Sequence, residues 1–154
     1  MVPNIAGAIA GSPKLINGLV GGFQQAHGGS FTEAQVQTLL LTNAVTNGCG
    51  WAVAFHSALA RKEGLSEEDV QAIRARRLPG DKELAALSHL ARTLIDKRGR
   101  LDDQDVAHFT EAGFEQALVL EVILIVAAST TTNYAGSVAQ PPLESMFQEY
   151  AWAA

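Results

Sequence analysis

Helix start and stop signals punctuate this chain from one end to the other, and almost no segment alternates as a strand does. Ser12-Pro13 joins a capping hydroxyl to a proline suited to a first helical turn, opening a helix toward His27 that Gly28-Gly29 closes. Thr32-Glu33-Ala34-Gln35 is a capping box for a helix to about Thr46, on which Val36, Leu39, Leu40 and Asn43 share a face. Asn47-Gly48 breaks the chain, and a helix beginning at Cys49 runs to about Glu63, where Gly64 stops it. Ser66-Glu67-Glu68-Asp69 starts a short helix that ends before Leu78-Pro79-Gly80. Asp81 opens the next, with Leu84, Leu87, Leu90, Ala91, Leu94 and Ile95 inward, Lys97-Arg98 in its last turn and Gly99 at its end. Asp102 or Asp103 caps a helix carrying Val106 and Phe109, closed by Gly113. An apolar helix follows from about Glu115 to Asn133; Gly136 and Pro141-Pro142 then lead to a final amphipathic helix, roughly Leu143 to Trp152. The pattern predicts an all-α bundle of about seven to eight helices in a single domain spanning residues 1–154. No repeat or linker divides it.

Composition narrows the partners. A formal charge of −5 argues against a nucleic-acid surface, and the one basic cluster, Arg74-Ala75-Arg76-Arg77, is short and flanked by acids. The longest apolar stretch, Ala117 to Ala128, is interrupted by Glu121 and falls short of the ~20 residues that span a bilayer. It reads as a buried core helix, and no membrane is expected. Met1 to Ala10 lacks the basic region of a signal peptide. A single cysteine excludes an intramolecular disulfide and a Cys-rich zinc cluster, and fits a reducing cytoplasm.

That cysteine lies in Asn47-Gly48-Cys49-Gly50-Trp51-Ala52-Val53-Ala54-Phe55-His56. A thiol in a first helical turn lies where the macrodipole favours thiolate. Seven residues on, His56 falls on the same face about two turns away, some ~10 Å further along. Ala52 stands between them, where a second cysteine would complete Cys-x-x-Cys-x-x-x-His. From the residues alone Cys49 is either an activated nucleophile or a small buried hydrophobe, and His56 either a proton shuttle or a core histidine. Trp51 and Phe55 either line a pocket near Cys49 or pack in the core. Glu33 is a first-turn acid that complements the helix dipole or a spare carboxylate. Glu121, among apolar neighbours, either exchanges protons or anchors a helix end. His27, His89 and His108 lack ligand-like spacing, so no metal is expected.

Leu39 through Cys49, Val53 through Ala60, Glu63 through Val70, and more loosely Leu120 through Leu124 to Asn133-Tyr134, together resemble the carboxymuconolactone decarboxylase and alkyl hydroperoxidase D (AhpD) family. The resemblance implies an AhpD-like helical bundle. In the family's redox branch a glutamate precedes Cys-x-x-Cys and a histidine, and those slots here hold Gln37, Cys49, Ala52 and His56. It implies a thiol-dependent hydroperoxidase or disulfide oxidoreductase of antioxidant type, needing no flavin, haem or metal. That activity is impaired here, because Ala52 replaces the partner of Cys49 and the thiol kept is the resolving one. Two alternatives stand beside it: a non-redox decarboxylase-type enzyme in which His56 moves a proton on a small carboxylated lactone, and a non-catalytic oligomeric module binding a small molecule. The implied partners are an organic hydroperoxide or small acid, an external thiol reductant, and copies of the same chain in a trimer or a hexamer built from dimers. Met146, Phe147, Tyr150 and Trp152 make the last helix too apolar to stand alone in water, so it should dock on its own bundle or on a neighbouring subunit.

Overall fold

Each cap read in the sequence stands at a helix start in the computed structural model, which describes residues 2–153. Met1 and Ala154, the two ends of the expected domain, lie outside the described residues. The helices are α1 (Asn4–Ala8), α2 (Pro13–Ala26), α3 (Glu33–Thr46), α4 (Gly50–Lys62), α5 (Glu67–Arg74), α6 (Lys82–Asp96), α7 (Asp103–Glu111) and α8 (Val119–Ala139). Short 3-10 turns cover Gln116–Leu118 and Ser145–Tyr150, and no strand occurs among the described residues. The hydroxyls of Ser12, Thr32 and Ser66 and the carboxylates of Asp81 and Asp102 accept backbone N–H groups of the turns they open. The fold is all-α, as expected.

The bundle is organised around α3. Every residue from Val36 to Val45 is buried, so this helix has no solvent face, where the sequence suggested one inward face. On one side Leu39 and Leu40 pack with Leu87, Leu90, Phe109 and Ile125 from α6, α7 and α8. On the other, Leu41 and Val45 pack with Val53, Val70 and Ile73 from α4 and α5. The polar residues of α3 are matched. Thr42 donates to Ser88 Oγ at 2.9 Å, and the Asn43 amide donates to the Val126 carbonyl and to Thr130 Oγ1, both at 3.3 Å, fastening α8.

Two expectations need correcting. The apolar helix does not close at Asn133-Tyr134 but runs on through Gly136 to Ala139. Gly136 is tolerated because α8 passes so close to α4 that a Cβ there would lie 3.1 Å from Cys49 Sγ. The stop comes from Gln140, left-handed at φ 45°, just before Pro141-Pro142. Nor is α8 a fully buried core helix. Gln116–Ala139 is long and apolar enough to cross a membrane by length and composition, and only 28% of its most apolar window is buried. One stripe packs on α3, while Leu120, Ile123, Leu124, Tyr134 and Val138 stand exposed.

The final segment docks on its own bundle, but as a 3-10 turn rather than an amphipathic α-helix. Its polar groups are drawn sideways instead of along a helix axis. Arg74 donates to the carbonyls of Tyr150 and Ala151, at 2.9 and 3.0 Å, and the Trp152 indole donates to Arg74 O at 3.3 Å. Glu144, just ahead of the turn, accepts Asn4 N–H at 2.7 Å and the Trp51 indole at 3.0 Å, tying α1 and the C-terminal strap to α4. Phe147 is buried by edge contact with Phe55.

Leu40→Ala should cost about 2–5 kcal/mol of unfolding free energy in urea titration, as a fully buried leucine at the centre of the core. Met146→Ala, at an exposed side chain, should stay within about 0.5 kcal/mol of wild type.

Candidate active site

Helices α1, α2 and α4, with Gln37 from α3 and Thr132 from α8, enclose a cavity of about 540 Å³. Its walls are Ile5, Ile9, Ile16, Leu19, Phe23 and Leu59, closed on the α4 side by Trp51 and Phe55, whose rings stack 5.0 Å apart. One helical turn separates these two aromatic residues, so they present one continuous surface. The polar lining is sparse: Gln24, His27, Gln37, His56 and Thr132. Among the described lining residues there is no lysine, arginine or carboxylate.

His56 and Gln37 meet at this cavity. The His56 Nδ1 to Gln37 Oε1 distance is 3.0 Å, and both side chains are buried. With the amide oxygen as acceptor, Nδ1 carries the ring proton and Nε2 is left as an acceptor, while the Gln37 NH2 remains a donor. Burial is the main force on the imidazole, with the charge of His27 second. Together they push its pKa from 6.5 down to about 3. His56 is therefore a neutral hydrogen-bonding group at physiological pH.

Cys49 is elsewhere. It is the N-cap of α4, at φ −89° and ψ 93°, and its backbone has left the helical spiral, so counting turns from it to His56 overstates how closely their side chains align. Its buried sulfur faces Gly136 of α8, and it lines a separate polar cleft of about 330 Å³ with Gly48, Ser137, Gln140 and Pro141. No cap hydrogen bond reaches the thiol. Cys49 is not among the residues lining the larger cavity, and only Trp51 belongs to both. Ala52 is buried on α4, one turn before His56, so that turn offers a methyl group where a thiol would stand.

The other candidates separate in the same way. Glu121 is half-buried and accepts Ser30 N–H at 2.6 Å, closing the turn after α2; the carboxylate leaves no room for a Cβ at Gly29. It does not line the cavity and acts as an anchor. Glu33 does not replace Gln37 but binds His27, Nδ1 to Oε2 at 2.8 Å, and His27 lines the cavity. Nothing in the spacing of residues 27 and 33 announced that pairing, because it crosses the Gly28-Gly29 turn. His89 and His108 lie ring to ring at 4.8 Å on α6 and α7, away from the cavity. No group of three or more His, Cys, Asp or Glu is placed to hold a metal ion among the described residues.

Residues 13–92, from α2 into α6, match the model of the carboxymuconolactone decarboxylase family. No curated protein sequence matches the chain. Among solved structures the fold is similar to an uncharacterized peroxidase-related protein with an alkylhydroperoxidase AhpD core from Ralstonia eutropha JMP134. That pair has a TM-score of 0.84 and 16% identity, covering 96% of this chain and 80% of that one. It is similar also to an uncharacterized peroxidase-related protein from Silicibacter sp. TM1040, at a TM-score of 0.83 and 15% identity, covering 96% and 79%. A third is a protein of unknown function from Agrobacterium tumefaciens, named as a candidate AhpD antioxidant defence protein, at a TM-score of 0.77 and 16% identity, covering 88% and 96%. At these identities the likeness is one of fold.

The buried histidine sets a pH dependence. Below its ordinary value of 6.5 the unfolded chain takes up a proton that folded His56 refuses down to about 3. Its contribution to stability is thus fully present above pH 6.5 and is lost as pH falls toward 3. Between pH 6.5 and 4.5 the loss should be about 2 kcal/mol. His56→Gln should flatten that part of the stability curve, and the His56 ring resonances should not titrate between about pH 5 and 8.

Proposed function

Because the chain belongs to the carboxymuconolactone decarboxylase family, we propose that it is a one-thiol relative of the antioxidant branch. It binds an organic hydroperoxide, or a similarly uncharged oxygenated molecule, in its apolar cavity, without the two-thiol cycle. The observation that carries this reading is the neutral His56–Gln37 pair in the lining of a largely apolar cavity. A hydroperoxide O–H can donate to His56 Nε2 while its oxygens accept from the Gln37 amide, and the organic body replaces water along the apolar wall. The volume suits a small organic ligand.

Two-thiol turnover lacks its parts. Ala52 supplies no thiol beside His56, and an oxidised Cys49 would have no second cysteine in the chain to resolve it. An external thiol in a reducing cytoplasm would have to return it to the reduced state. The decarboxylase reading has less support. A carboxylated lactone would enter a cavity with no lysine or arginine among its described lining residues, and His56, with a pKa of about 3, is a weak base.

The exposed stripe of Leu120, Ile123, Leu124, Tyr134 and Val138 on α8, with Val20 of α2 also exposed, supports a homo-oligomer, a trimer or a hexamer built from dimers. In light scattering the wild type should exceed the monomer mass. Val138→Glu combined with Tyr134→Glu should reduce it to monomer, and a monomeric wild type would remove the oligomer from the reading.

Binding is tested by titrating cumene hydroperoxide against the fluorescence of Trp51, which lines the cavity. Saturable quenching is expected, and His56→Leu should weaken it about tenfold by removing the buried acceptor. Ala52→Cys restores a cysteine pair at i and i+3, within reach of a disulfide. That variant should gain a Cys49 crosslink and dithiol-dependent peroxide reduction. No quenching in wild type would sink the proposal.

A further inference from the structure

The cavity holds a second imidazole that the His56–Gln37 site does not use. His27 is the C-cap residue of α2, stacked on Phe23 with ring centroids 6.2 Å apart, and both residues line the cavity. Its Nδ1 lies 2.8 Å from Glu33 Oε2, in the first turn of α3, across the tight connection through Gly28 and Gly29. A carboxylate on Nδ1 fixes the tautomer with the proton on that nitrogen and leaves Nε2 as the basic atom. His27 and His56 line the same cavity. Both His27 and Glu33 are partly open to water, whereas His56 is buried.

We propose that His27, oriented by Glu33, is a catalytic base that converts primary and secondary organic hydroperoxides to carbonyl compounds and water without any thiol. The inference rests on the reading that the cavity takes a hydroperoxide. With the terminal O–H held at His56 and Gln37, the carbon bearing the peroxide lies toward the remaining walls, among them His27. His27 Nε2 removes the hydrogen from that carbon. The C–H electron pair becomes the second bond of the new C=O, the O–O bond breaks, and the distal oxygen departs with its electron pair as hydroxide. Hydroxide then takes the proton back from the imidazolium and leaves as water. In sum, one secondary hydroperoxide becomes one ketone and one water, and a primary one becomes an aldehyde and water. Carbon is oxidised by two electrons, the peroxide oxygens are reduced by two, and no co-reactant is consumed. Such an elimination answers the loss of the second cysteine. It removes hydroperoxide in a chain that cannot form an intramolecular disulfide.

The test compares two probes on the whole protein in thiol-free buffer. 1-Phenylethyl hydroperoxide has a hydrogen on the peroxide-bearing carbon and should give acetophenone. Cumene hydroperoxide has none and should bind without being consumed. Deuterium at that carbon should slow acetophenone formation. His27→Gln should lower kcat by at least about 100-fold, the scale of a lost general base, and retain cumene hydroperoxide binding. Glu33→Gln, a change on the exposed first turn of α3, should lower kcat with little change in KM; it serves as the second variant if His27→Gln does not fold. Acetophenone formation no faster than in buffer, an undiminished rate in both variants, or 1-phenylethanol as the product would each overturn the proposal while leaving the binding site standing. Failure of cumene hydroperoxide to bind at all would remove the binding reading and this inference together.

Discussion

A helix whose central stretch meets water nowhere must be covered there on every side, and that demand on α3 shapes the rest of the molecule. From Val36 to Val45 each residue is buried, so α4, α5, α6 and α8 are arranged around it, and α2 and α7 extend the shell. Hydrophobic burial drives this wrapping, and it also forces a polar ledger inside, since each buried polar side chain costs free energy unless it is paired. Thr42 and Asn43 are paired to α6 and α8. Gln37, one turn before Leu41 on the α4 side of the helix, has the same need and meets it with His56. The candidate site is thus a polar seam between α3 and its nearest neighbour, widened on its far side by the α1–α2 cover.

The kind of pairing decides the chemistry. A carboxylate 3.0 Å from the imidazole would hold it protonated, and the resulting ion pair would bring charge into a wall of Ile, Leu and aromatic side chains. The Gln37 amide offers a hydrogen bond without that charge. Desolvation then dominates, and the ring stays neutral. A cavity built in this way discriminates by polarity. On the proposed reading it takes a molecule that brings one donor and one acceptor on an apolar body rather than one that must keep a full charge.

Much of the fold was legible because its signals are local. A capping side chain, a proline in a first turn or a glycine after a last turn acts within a few residues, and Ser12-Pro13, Thr32–Gln35 and Asp81 behave as they read. The errors arose where a tertiary contact overrode the local signal. Gly136 reads as a stop, yet α8 continues through it because the missing side chain lets the helix pass Cys49. The C-terminal segment reads as an amphipathic helix, yet Arg74 claims its carbonyls. The site divides along the same line. The slots of Gln37, Ala52 and His56 came from the resemblance to the family, and the structure brings Gln37 and His56 together across two helices. Cys49 was misjudged because an N-cap residue does not share the periodicity of the helix it opens. His27 and Glu33 were missed as a pair because they meet across a glycine turn that has no period at all.

The division between a buried and a half-open histidine has an energetic logic. Protonating His56 at neutral pH works against a pKa of about 3, a cost on the order of 5 kcal/mol. A proton-transfer step routed through that ring would carry this cost in its barrier. His27 stands instead at the water-exposed rim, its Nδ1 held by the Glu33 carboxylate. Neutrality is what lets His56 sit in hydrocarbon. On the proposed reading, a single cavity binds an uncharged molecule at His56 and moves a proton at His27, two tasks assigned to two histidines of different exposure. Cys49, across α4 in its own cleft, is required by neither task.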